Sequence, residues 1–247
     1  MQKIKLGLLG ATGRVGKEIL YLLEQKSDFK IEGVVTSSNL SDLKQVVENS
    51  DVMVDFSQPN GTEHLLDVVS ANLKPLVIGT TGLEQKHFKK MREVSLNIPI
   101  LYAEHMSTGI TLMNKIIKEL TVALGEDVDI ELYESHHRYK QDAPSGTCLM
   151  LAETVAKTRK VNLEDVACFD RHNRIGPRPK GEIGFSIQRG GNMMGSHTVT
   201  FLDEDESLEV KHQTFSRQLY AKGALRAAQW IVKQHSGLYS MADVLGL

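Results

Sequence analysis

An apolar run, Ile4–Leu9, is followed at once by Gly10-Ala11-Thr12-Gly13-Arg14-Val15-Gly16, and apolar residues at helical spacing continue over Val15–Leu23. That order leaves few folds open. A strand that ends on glycines and turns straight into a helix brings bare backbone N–H groups and the positive helix end to one point. One glycine makes the tight turn, one lets the backbone approach phosphates, and one lets helix pack on strand. A plain structural turn is the alternative, but the strand before and the helix after are the context that a dinucleotide pyrophosphate requires.

The first hundred residues keep alternating. Strands are expected at Ile31–Val35, Asp51–Phe56, Leu76–Ile78 and Ile98–Ala103, with a helix at Glu84–Val94. Strands separated by helices pair in parallel through right-handed crossovers, which implies an α/β, open doubly wound parallel sheet. The middle of the chain reads differently. Ile110–Leu124 is a helix with Met113, Ile116, Ile117, Leu120 and Leu124 on one face. Val128, Ile130 and Leu132 then alternate with polar residues, and Gly184–Gln188, His197–Leu202 and Leu208–Gln213 follow as strands, the last two joined by the acidic turn Asp203–Glu206. A second, smaller α+β domain with a mixed, open-faced sheet results. Its open face is expected to carry Val128, Ile130, Ile183, Phe185, Val199 and Phe201, and hence to be covered by other subunits. The final helix, Arg217–Val232, is alanine-rich and is assigned to the first domain. The expected division is 1–106 plus 214–247 against 107–213. Cys168–Lys180, polar and basic with two prolines, reads as a mobile or ligand-closing loop.

Composition excludes several classes. Of 247 residues, 41% are hydrophobic and 24% charged, enough for a core and too apolar for disorder. No uncharged apolar run approaches the ~18 residues of a membrane span. Lys plus Arg (29) nearly balances Asp plus Glu (31), so neither nucleic acid nor an anionic membrane is an expected partner. Two cysteines support no disulfide framework. The N-terminus lacks the long apolar stretch of a secretion signal, so a cytoplasmic protein is expected.

Chemistry concentrates at three places. Thr36-Ser37-Ser38 ends the second strand without the carboxylate that would accept from a ribose 2′-OH; its hydroxyls and Arg14 favour a 2′-phosphate or no strong preference, and a plain loop start is the alternative. Gly79-Thr80-Thr81-Gly82 and Asp55-Phe56-Ser57 end parallel strands, where ligands of open sheets lie. The strongest signal is Glu134-Ser135-His136-His137-Arg138-Tyr139-Lys140, running through Asp142-Ala143-Pro144 into Ser145-Gly146-Thr147 and a helix. Clustered bases beside free N–H groups at a helix start suit a dicarboxylate that must also be protonated; a solvated basic loop is the alternative. Arg189 stands ready for a carboxylate or for the histidine pair. Adjacent histidines make a poor zinc pair, so no metal is expected. Cys148 reads as a small core residue.

In order along nearly the whole chain, the turn Gly10–Gly16, Asp55-Phe56-Ser57, Gly79–Gly82, the stretch Glu134–Thr147, Arg189 with Gly195 and His197, and the last helix resemble the 4-hydroxy-tetrahydrodipicolinate (dihydrodipicolinate) reductases of diaminopimelate and lysine biosynthesis. The resemblance implies a Rossmann-type domain, a sheet domain that builds a homotetramer, and hydride transfer from NADH or NADPH to a cyclic dicarboxylate imine with loss of water. It implies His136 and Lys140 as the proton-transferring residues, and His137, Gly146 and Thr147 as substrate contacts beside Ser145 and Arg189. It places the cofactor against Gly10, Ala11, Thr12, Gly13, Arg14 and Val15, against Gly79, Thr80 and Thr81, and against Ala103, Glu104, His105 and Met106; the second-strand end itself adds Ser37 at the adenosine ribose. The chain departs from the family at Ser37 and Ser38, where an acid and a base are usual, at His105 and Thr111, where asparagine is usual, and at Cys148, where alanine is usual. NADPH is therefore expected to serve at least as well as NADH. A semialdehyde dehydrogenase-like reductase would share Gly10-Ala11-Thr12-Gly13 but needs an activated cysteine. A non-catalytic nucleotide sensor would have no use for His136 and Lys140.

Overall fold

In a computed structural model, residues 3–25, 28–172 and 174–247 are described. The chain forms two compact units, Met1–Thr108 with Arg217–Leu247, and Gly109–Ser216. In chain order the elements are β1 (Ile4–Leu9), α1 (Arg14–Glu24), β2 (Phe29–Val35), α2 (Leu43–Asn49), β3 (Val52–Asp55), α3 (Pro59–Asn72), β4 (Leu76–Ile78), α4 (Gln85–Ser95), β5 (Pro99–Tyr102) and α5 (Thr108–Leu124). Then come β6 (Asp129–His136), α6 (Gly146–Thr158), α7 (Leu163–Val166), β7 (Ala167–Cys168), β8 (Ile183–Arg189), β9 (Gly195–Leu202), β10 (Ser207–Thr214), α8 (Gln218–Ile231), β11 (Gly237–Tyr239) and α9 (Met241–Leu245). Among the described residues no helix is long and apolar enough to cross a membrane.

The first unit is a six-stranded sheet in the order β11-β5-β4-β3-β1-β2, parallel throughout. Both faces are covered, as a parallel sheet requires. Leu6, Leu8, Val52, Val54 and Val77 pack with Ile19 of α1 and the alanine stripe of α8, Ala221, Ala224, Ala227 and Ala228. Leu9, Met53, Leu76 and Ile78 point the other way, onto Val47, Leu65, Leu66, Val69 and Met91 of the opposite helices. Each fully buried leucine or isoleucine contributes about 1.5–3 kcal/mol. Strands two and three flank β1 on opposite sides, so the chain reverses its winding direction there. Ligands of such sheets bind beyond the carboxyl ends of strands at this reversal.

The second unit is a five-stranded mixed sheet, β10-β9-β6-β8-β7, in which β6–β8 and β8–β7 are parallel and the other pairs antiparallel. Here the expected facing is corrected. Val128, Ile130, Ile183, Phe185, Val199 and Phe201 are the buried core, packed on Ile110, Met113 and Ile117 of α5 and Leu151, Ala152 and Val155 of α6. Alternation is read correctly, but its phase is set by the two helices that cover the apolar side. The open side carries polar residues instead: Tyr133 donates to Gln188 at 2.5 Å, and Ser135 donates to the same Oε1 at 2.9 Å. Ile116 and Leu124, expected on the buried face of α5, are partly exposed. Within the segment expected as a mobile or ligand-closing loop, described residues make ion pairs: Arg171 on Glu131 and Glu182 (both 2.6 Å), Arg174 on Glu182, and Arg178 on Asp129 (2.5 Å).

Candidate active site

Backbone hydrogen bonds align the loops at the carboxyl edge of the parallel sheet. Gly10 N donates to Val35 O (2.9 Å), Phe56 N to Leu9 O (3.0 Å), Gly79 N to Asp55 O (2.8 Å) and Ala103 N to Ile78 O (3.1 Å). Gly10 has φ +87°, and a Cβ there would sit 2.4 Å from Phe56 O. A Cβ on Gly16 would lie 2.3 Å from Gly10 O, so helix and turn touch backbone to backbone. The N-cap of α1, Gly13, supplies no side-chain cap, and the first turn holds no acid. Its free N–H groups and dipole therefore remain available to an anion. Ala11 is buried, Val15 half-buried, and Thr12 and Arg14 face solvent. Arg14 has no hydrogen-bond or ion-pair partner among the described residues.

The turn after β2 differs in detail from the expectation. Thr36 Oγ1 is bonded to Ser38 Oγ (2.8 Å) and to Asn39 Oδ1 (2.9 Å), and Asn39 Nδ2 donates to Val34 O and to Asp42 Oδ2 (3.2 Å). Two of the three hydroxyls are thus spent on the turn, and a carboxylate, Asp42, belongs to it. Ser37 stays exposed and outside this network. Beyond β3 and β4, buried Asp55 accepts from Ser57 N (2.9 Å) and Thr62 Oγ1 (2.5 Å), while Thr80 Oγ1 accepts from Ser57 N (3.0 Å). Burial raises the Asp55 carboxyl above its ordinary range, against the pull of these hydrogen bonds. Gly79 and Thr80 are buried and Thr81 exposed. Exposed Glu104 accepts from Tyr102 Oη (2.9 Å), His105 stacks edge-on against Tyr220 (5.1 Å), and Met106 is buried.

In the second unit, period two does the positioning. Ile130 and Leu132 face the core, and the same face of β6 continues into Glu134 and His136. Register then sets Glu134 opposite His197 of β9, and His136 opposite Arg189 of β8. Glu134 is completely buried and accepts from Ser145 N (3.1 Å), Ser145 Oγ and Arg189 Nη2 (2.5 Å). His197 Nε2 lies 3.6 Å from Glu134 Oε2 and 3.1 Å from Ser145 Oγ. Ser145 gives its hydroxyl proton to Glu134, so Nε2 of His197 donates to Ser145, which also caps α6 by accepting from Cys148 N (3.2 Å).

Charge follows from this packing. Burial opposes ionisation of Glu134, but His197, Ser145 and Arg189 outweigh it and hold the carboxyl well below the usual carboxylate range. His136 is pushed down to about 4, first by burial and then by His197. Its Nδ1 sits 3.7 Å from Glu134 Oε2 without a hydrogen bond, and Nδ1 of His137, Nδ1 of His197 and Nε of Arg189 are likewise buried and unpartnered. Lys140 Nζ is held by both oxygens of Asp142 (2.8 and 2.9 Å). Gly146 and Thr147 open α6, where N–H groups have no intrahelical acceptor. Expected as a substrate contact, Arg189 already serves Glu134, Gln188 O and Asp142 O through its Nη atoms, which leaves Nε. Glu134 was not singled out from the sequence as a site residue, and His197 only as part of a motif. The legible signal was a carboxylate at the next inward position of an otherwise apolar strand face.

Two family models together cover almost the entire chain: "Dihydrodipicolinate reductase, N-terminus" over residues 4–106 and "Dihydrodipicolinate reductase, C-terminus" over residues 109–245. The chain belongs to the dihydrodipicolinate reductase family. The 4-hydroxy-tetrahydrodipicolinate reductase of Wolinella succinogenes is 45% identical, covering 98% of this chain and 99% of the relative. The enzyme of the same name from Campylobacter jejuni is 43% identical, covering 99% and 100%. Among solved structures, a dipicolinate-bound dihydrodipicolinate reductase from Paenisporosarcina sp. TG-14 superposes with a TM-score of 0.80 over 98% of both chains; at 20% identity it shows the shared fold. As a dihydrodipicolinate reductase the chain is an oxidoreductase with a nicotinamide cofactor. Burial pushes the Cys148 thiol up to about 12, opposite to the activation that a semialdehyde dehydrogenase's cysteine needs.

Proposed function

We propose that the chain reduces 4-hydroxy-tetrahydrodipicolinate to tetrahydrodipicolinate in diaminopimelate and lysine biosynthesis, and that the end of β6 with the start of α6 is where the dicarboxylate binds. One observation carries this reading. Buried nitrogens able to donate, Nε of Arg189 and Nδ1 of His137, lack partners at the same sheet end as a helix N-terminus. Buried polar atoms are rarely left unpaired, and an anion with several acceptor oxygens pairs them. His137, Ser145, Gly146, Thr147 and the Nε of Arg189 are the proposed contacts.

The cofactor fits the parallel-sheet edge: the uncapped start of α1 leaves N–H groups for a pyrophosphate, and Gly10 and Gly16 let the turn close backbone to backbone on its neighbours. Gly10 to Val15, Gly79 to Thr81 and Ala103 to Met106 are the residues proposed to hold it. When bound, it supplies the hydride. Overall, hydride and one proton enter and water leaves, so the protein must move protons. His136 enters the cycle neutral, since burial keeps its affinity for a proton low. A dianionic substrate offsets the positive charges of Lys140 and Arg189 and favours its protonation. Lys140, held by Asp142, is the second proton-transferring group. His136→Gln and Lys140→Ala should each lower the rate by about 10²–10⁴-fold while sparing cofactor affinity. The decisive assay follows nicotinamide absorbance as purified protein receives the product of the preceding synthase. No turnover, or near wild-type turnover in both variants, would refute the assignment.

Two finer readings belong with it. NADPH serves at least as well as NADH, because Arg14 is free and Ser37 exposed; Ser37→Glu should weaken NADPH selectively. The chain assembles as a homotetramer in the cytoplasm through the hydroxyl-rich open side of the mixed sheet, and a monomer in sedimentation at working concentration would exclude that.

A further inference from the structure

Adjacent His136 and His137 argued against a metal at the level of sequence. Folding changes the ligand set. It brings His197 from β9 to Glu134 and His136 of β6, and these three buried residues present donor atoms that all lie within 4.8 Å of one another. Glu134 Oε2 stands 3.7 Å from His136 Nδ1 and 3.6 Å from His197 Nε2. Around a tetrahedral zinc with bonds of ~2.0–2.1 Å, neighbouring donors are about 3.4 Å apart. Each imidazole is thus a few tenths of an ångström from tetrahedral spacing to the carboxylate, and because the donors lie within 4.8 Å of one another, closing both imidazoles onto one ion takes up to about 1.4 Å of approach between the donors.

We propose that Glu134, His136 and His197 form a binding site for a single divalent transition-metal ion, with Zn²⁺ the preferred class. Two imidazoles and one carboxylate select zinc and its neighbours over magnesium or calcium, which favour all-oxygen sites. Nδ1 of His136 has no competing partner. At His197 the ion displaces the Ser145 contact from Nε2, and the proton moves to Nδ1, which is buried and unpartnered. On Glu134 Oε2 the ion also replaces the hydroxyl hydrogen bond from Ser145 Oγ, while Ser145 keeps its N–H bond to Oε1 and Arg189 stays on that same oxygen. That guanidinium repels a second cation, which holds the affinity below that of a closed structural zinc site. The fourth position is left to water.

Occupancy has a consequence that rests on the proposed function: it takes the His136 lone pair out of proton transfer, so Zn²⁺ inhibits the reductase. Binding itself does not depend on that reading. The test is competition for Zn²⁺ between the intact protein and a chromophoric zinc indicator at neutral pH, with Co²⁺ absorption as a second readout. Wild type should withdraw one Zn²⁺ per chain and give the intense d–d bands of four-coordinate Co²⁺. His136→Gln and His197→Gln, checked for folding by circular dichroism, should each bind at least about 10-fold more weakly. Cys168→Ser should bind as wild type does. No withdrawal of Zn²⁺, or equal withdrawal by wild type and both histidine variants, overturns the site. Binding without loss of turnover upholds the site and overturns the proton role of His136.

Discussion

Replacing Glu134 by glutamine removes one charge from the centre of the second unit with little change of shape. Glu134 is fully buried, and its Oε1 pairs with Arg189 Nη2 at 2.5 Å. Removing one partner of a buried ion pair costs about 3–5 kcal/mol, because the remaining charge is stranded. Arg189 is 19% exposed and keeps Gln188 O and Asp142 O, so the loss should fall in the lower half, about 3–4 kcal/mol. The sign with pH follows from the depressed carboxyl. A group held below its ordinary value of 4.5 stabilises the fold fully above that value, and this contribution fades as pH falls through the lower folded value. Variant and wild type should therefore differ at neutral pH and converge in acid. Urea unfolding followed by far-UV circular dichroism reads the loss. The single tryptophan, Trp230, packed on Tyr239 in the first unit, reports that unit separately by fluorescence. A loss under about 1 kcal/mol, or one of equal size at neutral and acid pH, would refute the view that this charge pair organises the site.

Three further outcomes are expected. His136, depressed from 6.5 to about 4, binds a proton less well folded than unfolded, so stability holds above pH 6.5 and falls as pH drops toward 4, by up to about 3 kcal/mol. His136→Gln should flatten that slope in urea titrations across the window, and an unchanged slope would assign it to other groups. Gly16→Ala forces a methyl against Gly10 O and should cost about 1–3 kcal/mol and raise the KM for the nicotinamide cofactor; wild-type values for both would show that the turn relaxes freely. Cys148, buried and with its thiol near 12, should resist iodoacetamide in the native protein with full retention of activity; rapid inactivation traced to Cys148 would refute its burial.

Local signals account for much of the parallel sheet. A strand that ends in Gly10 and a helix that begins at Arg14 are visible because glycine geometry and helical periodicity act over a few residues. Elements without such patterns were missed. Helix α3 opens on Gln58-Pro59 and contains Gly61, so its apolar spacing is blurred, although proline at its first turn was a readable start signal. Strand β11 has three residues, too few for alternation, and exists because β5 offers it a parallel edge.

The stretch Glu134–Thr147 carries the residue types of an anion-binding, proton-moving site in its own order, because basic side chains and a helix start are properties of neighbours in sequence. The partners that set their behaviour are not neighbours. His197 and Arg189 reach Glu134 through strand register. The choice of which sheet face is buried came from α5 and α6, which cover one side of an alternation that is symmetric in sequence. The low proton affinity of His136 arises from burial and His197, and the strong acidity of Glu134 arises, against burial, from His197, Ser145 and Arg189. Periodicity records which residues share a face, but desolvation and pairing across strands depend on where the chain returns, and that is a property of the folded molecule alone.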